Sequence, residues 1–319
     1  MNKIFVVIGV LMILFISSCE KEISVDIPAV ESRLVVDGRI ELGTNPFIIL
    51  TKSSGYFDPA NFEAIAANFV NDATITISDG TTTEPMIKLC SSTLPPNQLG
   101  EIAENIGVDS ALLANYDICA YTHPWTGEIG KSYTIAIDWN NEIYTSTTTL
   151  LDTIPLDSAW FRIEPGFDSL GFMRAIISDP PGLGNNYFWE AKRINTFKYG
   201  ELEGEVKDPN FLSPTNASFD DTFFDGLTFD FAYDRARGDA SRQGESPPER
   251  GFFKVGDTVV IKFSTIDKGV YKFYDDLEIQ VGSNGSPFAS PINITSNIEG
   301  NAFGLWAGYS STYDTVICK

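Results

Sequence analysis

The hydrophobic pattern of the chain opens with an almost unbroken apolar run, Ile4 to Ile16, behind the basic Lys3 and ahead of Ile16-Ser17-Ser18-Cys19. The run is short for a permanent bilayer span but suits the core of a cleaved export signal. Aliphatic, small, small, cysteine is the form of a bacterial lipoprotein signal. The reading is therefore a signal segment over 1–18 and lipidation at Cys19, with a plain secretory signal as the alternative. Residues 19–32 are polar, contain Pro28, and read as a tether.

Strand patterns follow. Arg33 to Gly38 is β-branched and closes on Asp-Gly, and Phe47 to Thr51 is a short buried run. Ala73 to Ser78 alternates strictly and ends at Asp79-Gly80, a hairpin signal. Lys131 to Asp138 alternates again, turns at Asn140-Asn141 and returns through Ile143 to Thr149. Short strands with polar turns predict an immunoglobulin- or fibronectin-like β-sandwich over 33–150. Two helical insertions interrupt it: Asn61 to Phe69, and Leu99 to Tyr116 with Asp109 as an N-cap. Composition changes near 150–155, which marks a second, β-rich domain over 151–319. Its predicted strands are Trp160 to Glu164, Phe172 to Ser178, Asn186 to Phe197, Thr258 to Ser264 and Tyr271 to Val281. Apolar positions at Val270, Phe273, Tyr274 and Leu277 fit a helix equally well. A long loop at about 200–250, rich in Asp, Phe, Gly, Pro and Ser, reads as functional or exposed.

Charge narrows the function. Forty-three acidic residues against 22 basic ones give a net charge of -21, which disfavours nucleic acid and anionic lipid as partners. With Cys19 set aside for lipid, Cys90, Cys119 and Cys318 remain. Cys90–Cys119 is the expected bridge, and three free thiols is the alternative. No Cys/His cluster suggests zinc, and no cofactor motif is present.

The single histidine, His123, reads as a structural loop residue, because no Gly-x-Ser-x-Gly elbow presents a nucleophile and multi-histidine metal chemistry lacks its ligands. No catalytic residue is assigned. Asp220, Asp221 and Asp225 are weak oxygen-ligand candidates without EF-hand spacing. The aromatics among them, Phe223, Phe224, Phe229, Phe231 and Tyr233, form a candidate interaction surface. Asp-Ser and Asp-Thr pairs at Ser110, Thr153, Ser158, Ser169 and Thr315 are similar to acceptors of O-glycosylation in exported Bacteroidota proteins, although such pairs also start strands and turns.

After the lipobox, several segments follow in order: Leu34 to Gly38, Thr51 to Phe57, Ala73 to Gly80, Gly130 to Ile135, Asn186 to Phe188, Phe219 to Gly226, Val255 to Val259 and Asn297 to Gly304. In that order they resemble the Bacteroidota lipoproteins called domain of unknown function 4249. Glu299 and Asn301 depart from a stretch that is commonly more Gly-rich in the family. The resemblance implies an outer-membrane lipoprotein that acts as an accessory of a TonB-dependent β-barrel receptor, with no catalytic residues to carry over, and the reading is of a non-enzymatic accessory or ligand-capture partner of that receptor. Glu20 and Glu22 after Cys19 resemble signals for display at the cell surface. A carboxylate-dependent glycan hydrolase is the alternative, and a structural or adhesion module of the envelope a second one.

Overall fold

The computed structural model describes residues 31–55, 58–59, 61–95, 99–106, 110–198, 203–236, 249, 251–283 and 293–319. The expected signal segment, Cys19, most of the expected tether, Asp109 and loop residues 200–202, 237–248 and 250 lie outside them.

The chain is mainly β. Its strands are β1 (Leu34–Glu41), β2 (Phe47–Lys52), β3 (Thr74–Ser78), β4 (Thr83–Pro85), β5 (Ile87–Cys90), β6 (Cys119–Thr122), β7 (Ser132–Trp139) and β8 (Glu142–Thr149). They continue with β9 (Ser158–Ile163), β10 (Leu170–Ser178), β11 (Asn186–Arg193), β12 (Ser218–Asp220), β13 (Thr228–Tyr233), β14 (Phe253–Lys254), β15 (Thr258–Ile266) and β16 (Phe303–Ile317). Helices α1 (Phe62–Ala67), α2 (Leu99–Ile106) and α3 (Ser110–Asn115) fill the two expected insertions, and α4 (Lys268–Ser283) precedes the last strand.

Local chemistry accounts for several of these elements. Asn61 caps α1 by accepting from the Ala64 N–H at 2.8 Å, relieving one of the orphan donors of the first turn. Asn140 and Asn141 hold positive φ of 54° and 62°, the twist a two-residue hairpin needs between β7 and β8. Asp79 accepts from the Thr81 and Thr82 N–H groups and closes the β3–β4 turn.

An eight-stranded sheet runs in the order β12-β11-β15-β16-β1-β2-β6-β5. Two four-stranded sheets, one of β4-β3-β7-β8 and one of β13-β10-β14 with β9 beside β10, complete the fold. On one face of the long sheet, Leu34, Val36, Ile48 and Trp306 meet Ile75, Ile135 and Ile137 to form the first core. Farther along the same face Trp189, Ile261 and Phe263 meet Met173, Ala175 and Ile177 in a second core. Each core is a sheet-on-sheet sandwich. A division of the chain near residue 150 therefore does not separate two sheets, because β16 runs parallel to β1 through Tyr309 and antiparallel to β15 beyond it.

The opposite face carries α4. Val270 is fully buried, and Phe273 and Tyr274 pack with it against Phe188, Ile266, Leu305 and Tyr309. The strand expected over Tyr271 to Val281 is thus a helix: its apolar residues recur at three- and four-residue intervals and cover one sheet face. β16 is the longest strand, and the sequence pattern did not predict it. Gly304, Gly308 and a run of Ser and Thr dilute its alternation, and its central residues are buried on both faces.

Candidate functional site

The pleat sends alternate residues of the long sheet to the α4 face: Asp37, Arg39 and Glu41 from β1, Leu305, Tyr309 and Tyr313 from β16, Lys262 from β15, and Glu190 and Lys192 from β11. With Tyr274 of α4 on one side and the loop Pro209–Asn210–Phe211 on the other, they line a cleft of about 460 Å³. Its floor is held by charge. The Lys262 ammonium, 7% exposed, lies 3.0 Å from both the Glu41 and the Glu190 carboxylates. Burial pulls the Lys262 pKa down, but Glu190 and Glu41 outweigh it and leave the ammonium above its ordinary value. Lys262 and Lys192 also lie 5.6 and 4.6 Å from the Phe211 ring centroid, so the loop is drawn onto the sheet by cation–π attraction.

Two further features mark the cleft. The Tyr274 and Tyr309 hydroxyls meet at 2.6 Å, and burial pushes both phenols above their usual range. Asp37 faces the cleft with its carboxylate accessible, yet the enclosing walls desolvate it and raise its pKa against the lowering field of Arg39. None of these groups was singled out in the sequence as a site residue; they are scattered from Asp37 to Tyr313 and converge through sheet order.

The loop after β11 is tied down independently. Asp208, buried, accepts from both the Arg193 guanidinium at 2.7 Å and Arg235 at 3.4 Å. This fixes the chain just before Pro209, so Phe211 is presented by an anchored segment.

The residues expected to matter are distributed elsewhere. Of the candidate interaction surface, Phe223 is 93% exposed and Phe229 partly so, but Phe224 is buried and Phe231 and Tyr233 pack into the second core. For Phe224 that expectation is corrected: Phe219, Phe224, Phe231, Trp189 and Phe263 form one aromatic cluster, and the Phe224 ring is buried in it. Asp221 and Asp225 come together with Asp179, ligand atoms within 4.8 Å of one another, whereas Asp220 turns away to accept from Thr222. Three such carboxylates are the oxygen set a hard cation favours. Each already accepts peptide N–H groups, from Gly184 and Asn185 to Asp221, Gly182 to Asp225 and Gly226 to Asp179, and these bonds brace the 180–185 loop.

Cys90 and Cys119 sit opposite each other on β5 and β6 and are joined by a disulfide; Cys318 is free and buried, which pushes its thiol up to about 12. His123 is buried, and its Nδ1 accepts from the Trp125 N–H, so Nε2 carries the proton toward Glu84 at 3.2 Å. Both ring nitrogens are thus occupied by structural partners. Ser110, Ser158 and Thr315 are exposed, and Thr153 and Ser169 half-buried. Among the described residues, no helix is long and apolar enough to cross a membrane.

The fold and cleft define a β-sandwich protein with a polar recess on the helix-covered face of a shared sheet. The chain matches the family described as Domain of unknown function (DUF4249) over residues 20–315 and belongs to it. No curated protein matches it. Among solved structures, the cycloalternan-degrading enzyme from Trueperella pyogenes in complex with cycloalternan is 8% identical, with a TM-score of 0.24. The match covers 86% of this chain, and the chain spans 33% of that enzyme, a likeness that carries no argument.

Proposed function

We propose that this protein is a non-enzymatic outer-membrane lipoprotein, anchored through Cys19 and facing the cell surface, that captures a small ligand for a TonB-dependent β-barrel receptor. The observation that carries the capture role is the cleft. At about 460 Å³ it falls in the range of pockets for small ligands, and it is preformed on strands rather than on loops alone. The Glu41 and Glu190 carboxylates are committed to Lys262, which supports binding over acid–base chemistry. The anchor rests on the apolar run and Ile16 to Cys19, and the receptor is the expectation carried by the sequence resemblance alone.

Purification from native membranes in mild detergent tests the reading. A β-barrel receptor is expected to accompany the wild type, and Cys19→Ala is expected to leave the membrane fraction and lose it. Absence of any such receptor from the wild-type preparation overturns the accessory role.

One observation favours a second reading, a carboxylate-dependent glycan hydrolase. Asp37 is a cleft carboxyl with a raised pKa, as a general acid requires. Release of shortened products from a glycan panel, abolished by Asp37→Asn, would favour it.

A further inference from the structure

We infer that the cleft binds a neutral saccharide, an inference that rests on the ligand-capture reading and names its ligand class. The first observation is charge balance. The chain carries -21, yet the cleft lining has three carboxylates, Asp37, Glu41 and Glu190, and three cations, Arg39, Lys192 and Lys262. Lys262, Glu41 and Glu190 satisfy one another on the floor. The groups left to face a ligand are of both signs. Among the described residues the Asp37 carboxylate makes no hydrogen bond, and Lys192 has no carboxylate within salt-bridge distance, only the Phe211 ring. Arg39 is 41% exposed, with Glu41 at 4.0 Å.

A ligand that is an ion of one sign would pair one set and leave the other desolvated and unmatched. A hydroxyl group both donates and accepts. A ring bearing several hydroxyls can donate to Asp37 and accept from Arg39 and Lys192 in one pose, with no net charge to desolvate.

The second observation is aromatic. Tyr313 is 56% exposed at the rim, and its ring stands 6.1 Å from that of Phe211. An exposed ring beside a strip of mixed donors and acceptors offers a flat apolar surface to the C–H face of a sugar and polar partners to its edge. An apolar ligand would leave Asp37, Arg39 and Lys192 desolvated without partners.

Titration calorimetry on the full-length chain in detergent micelles tests this, with neutral oligosaccharides, acidic oligosaccharides and dipeptides as probes. Neutral oligosaccharides alone are expected to bind. Tyr313→Ala and Arg39→Ala, both at exposed side chains, are each expected to weaken binding by about tenfold, with the thermal midpoint of the free protein unchanged. Binding of acidic oligosaccharides or dipeptides instead, binding that survives both substitutions, or no binding by any probe overturns the inference. A receptor complex recovered without saccharide binding removes this ligand class and leaves the accessory role standing. Saccharide binding without a receptor does the reverse, and shortened products keep the ligand class but overturn the non-enzymatic reading.

Discussion

Lys262 of β15 donates to Glu41 of β1 at 3.0 Å, an ion pair between residues 221 positions apart in the chain. Glu190 of β11 completes the group, so one buried ammonium ties three strands of the long sheet together. Replacing it leaves two facing carboxylates without their cation. Lys262→Met is expected to destabilise the protein by about 2–4 kcal/mol, near or below the usual range for a broken buried pair because both glutamates retain some solvent. The folded pKa of Lys262 lies above its unfolded value. Its contribution is therefore fully present below about pH 10.4 and lost as pH rises through the folded value. Thermal melts of wild type and variant should converge only in that alkaline range.

Asp37 behaves in the opposite sense for an acid. Its folded pKa is raised, so the ionised form is disfavoured in the fold. Stability is fully present below the unfolded value, about 3.9, and falls as pH rises through the folded value. Asp37→Asn is expected to melt higher than wild type at pH 6–7 and equally at about pH 3. A variant that melts lower at neutral pH would show that Arg39 outweighs desolvation.

Trp306 is fully buried, donates its indole N–H to the Tyr133 carbonyl at 2.9 Å, and lies over Gly38. A methyl group on Gly38 would stand 2.8 Å from the ring. Trp306→Ala should cost about 3–5 kcal/mol and Gly38→Ala about 1–3 kcal/mol by denaturant titration. The double variant is expected to cost less than the sum, because the cavity receives the methyl.

Phe223 and Phe224 are neighbours with opposite environments, 93% and 7% exposed. Phe224→Ala should cost about 3–5 kcal/mol, and Phe223→Ala no more than about 0.5 kcal/mol. Chemical denaturation of the two variants separates a core aromatic from a displayed one.

The Cys90–Cys119 bridge closes a loop with a sequence separation of 29 that contains α2 and α3. Cys90→Ala with Cys119→Ala is expected to lose about 3–4 kcal/mol, the loop-entropy value for that length. Limited proteolysis should then cut first within 91–118, where the small cluster of Leu112, Leu113 and Ile118 stands apart from the main cores.

Local patterns were legible where one face of an element is buried and the other wet. β3 and β7 alternate in sequence and in burial, β8 alternates in burial, and their turns carry the residues that positive φ or side-chain capping demands. β16 was not legible, because its central stretch is buried on both faces and loses the period of two. The acidic-aromatic stretch around Phe224 misled for a related reason. Composition cannot tell a displayed ring from one turned into a sandwich core.

The sequence by itself determined the β-rich class, the insertions, the tight turns and the family. The class, insertions and turns depend on residues close together in the chain, where backbone sterics and side-chain period act directly, and the family on the order of such local segments along it. Only the tertiary structure decided that β16 joins β1 in parallel, that residues 268–283 lie as a helix across the sheet, and that Asp37, Lys262 and Tyr313 share one cleft. Those relations depend on strand order, and strand order is set by which distant apolar faces bury one another, a choice no local pattern encodes.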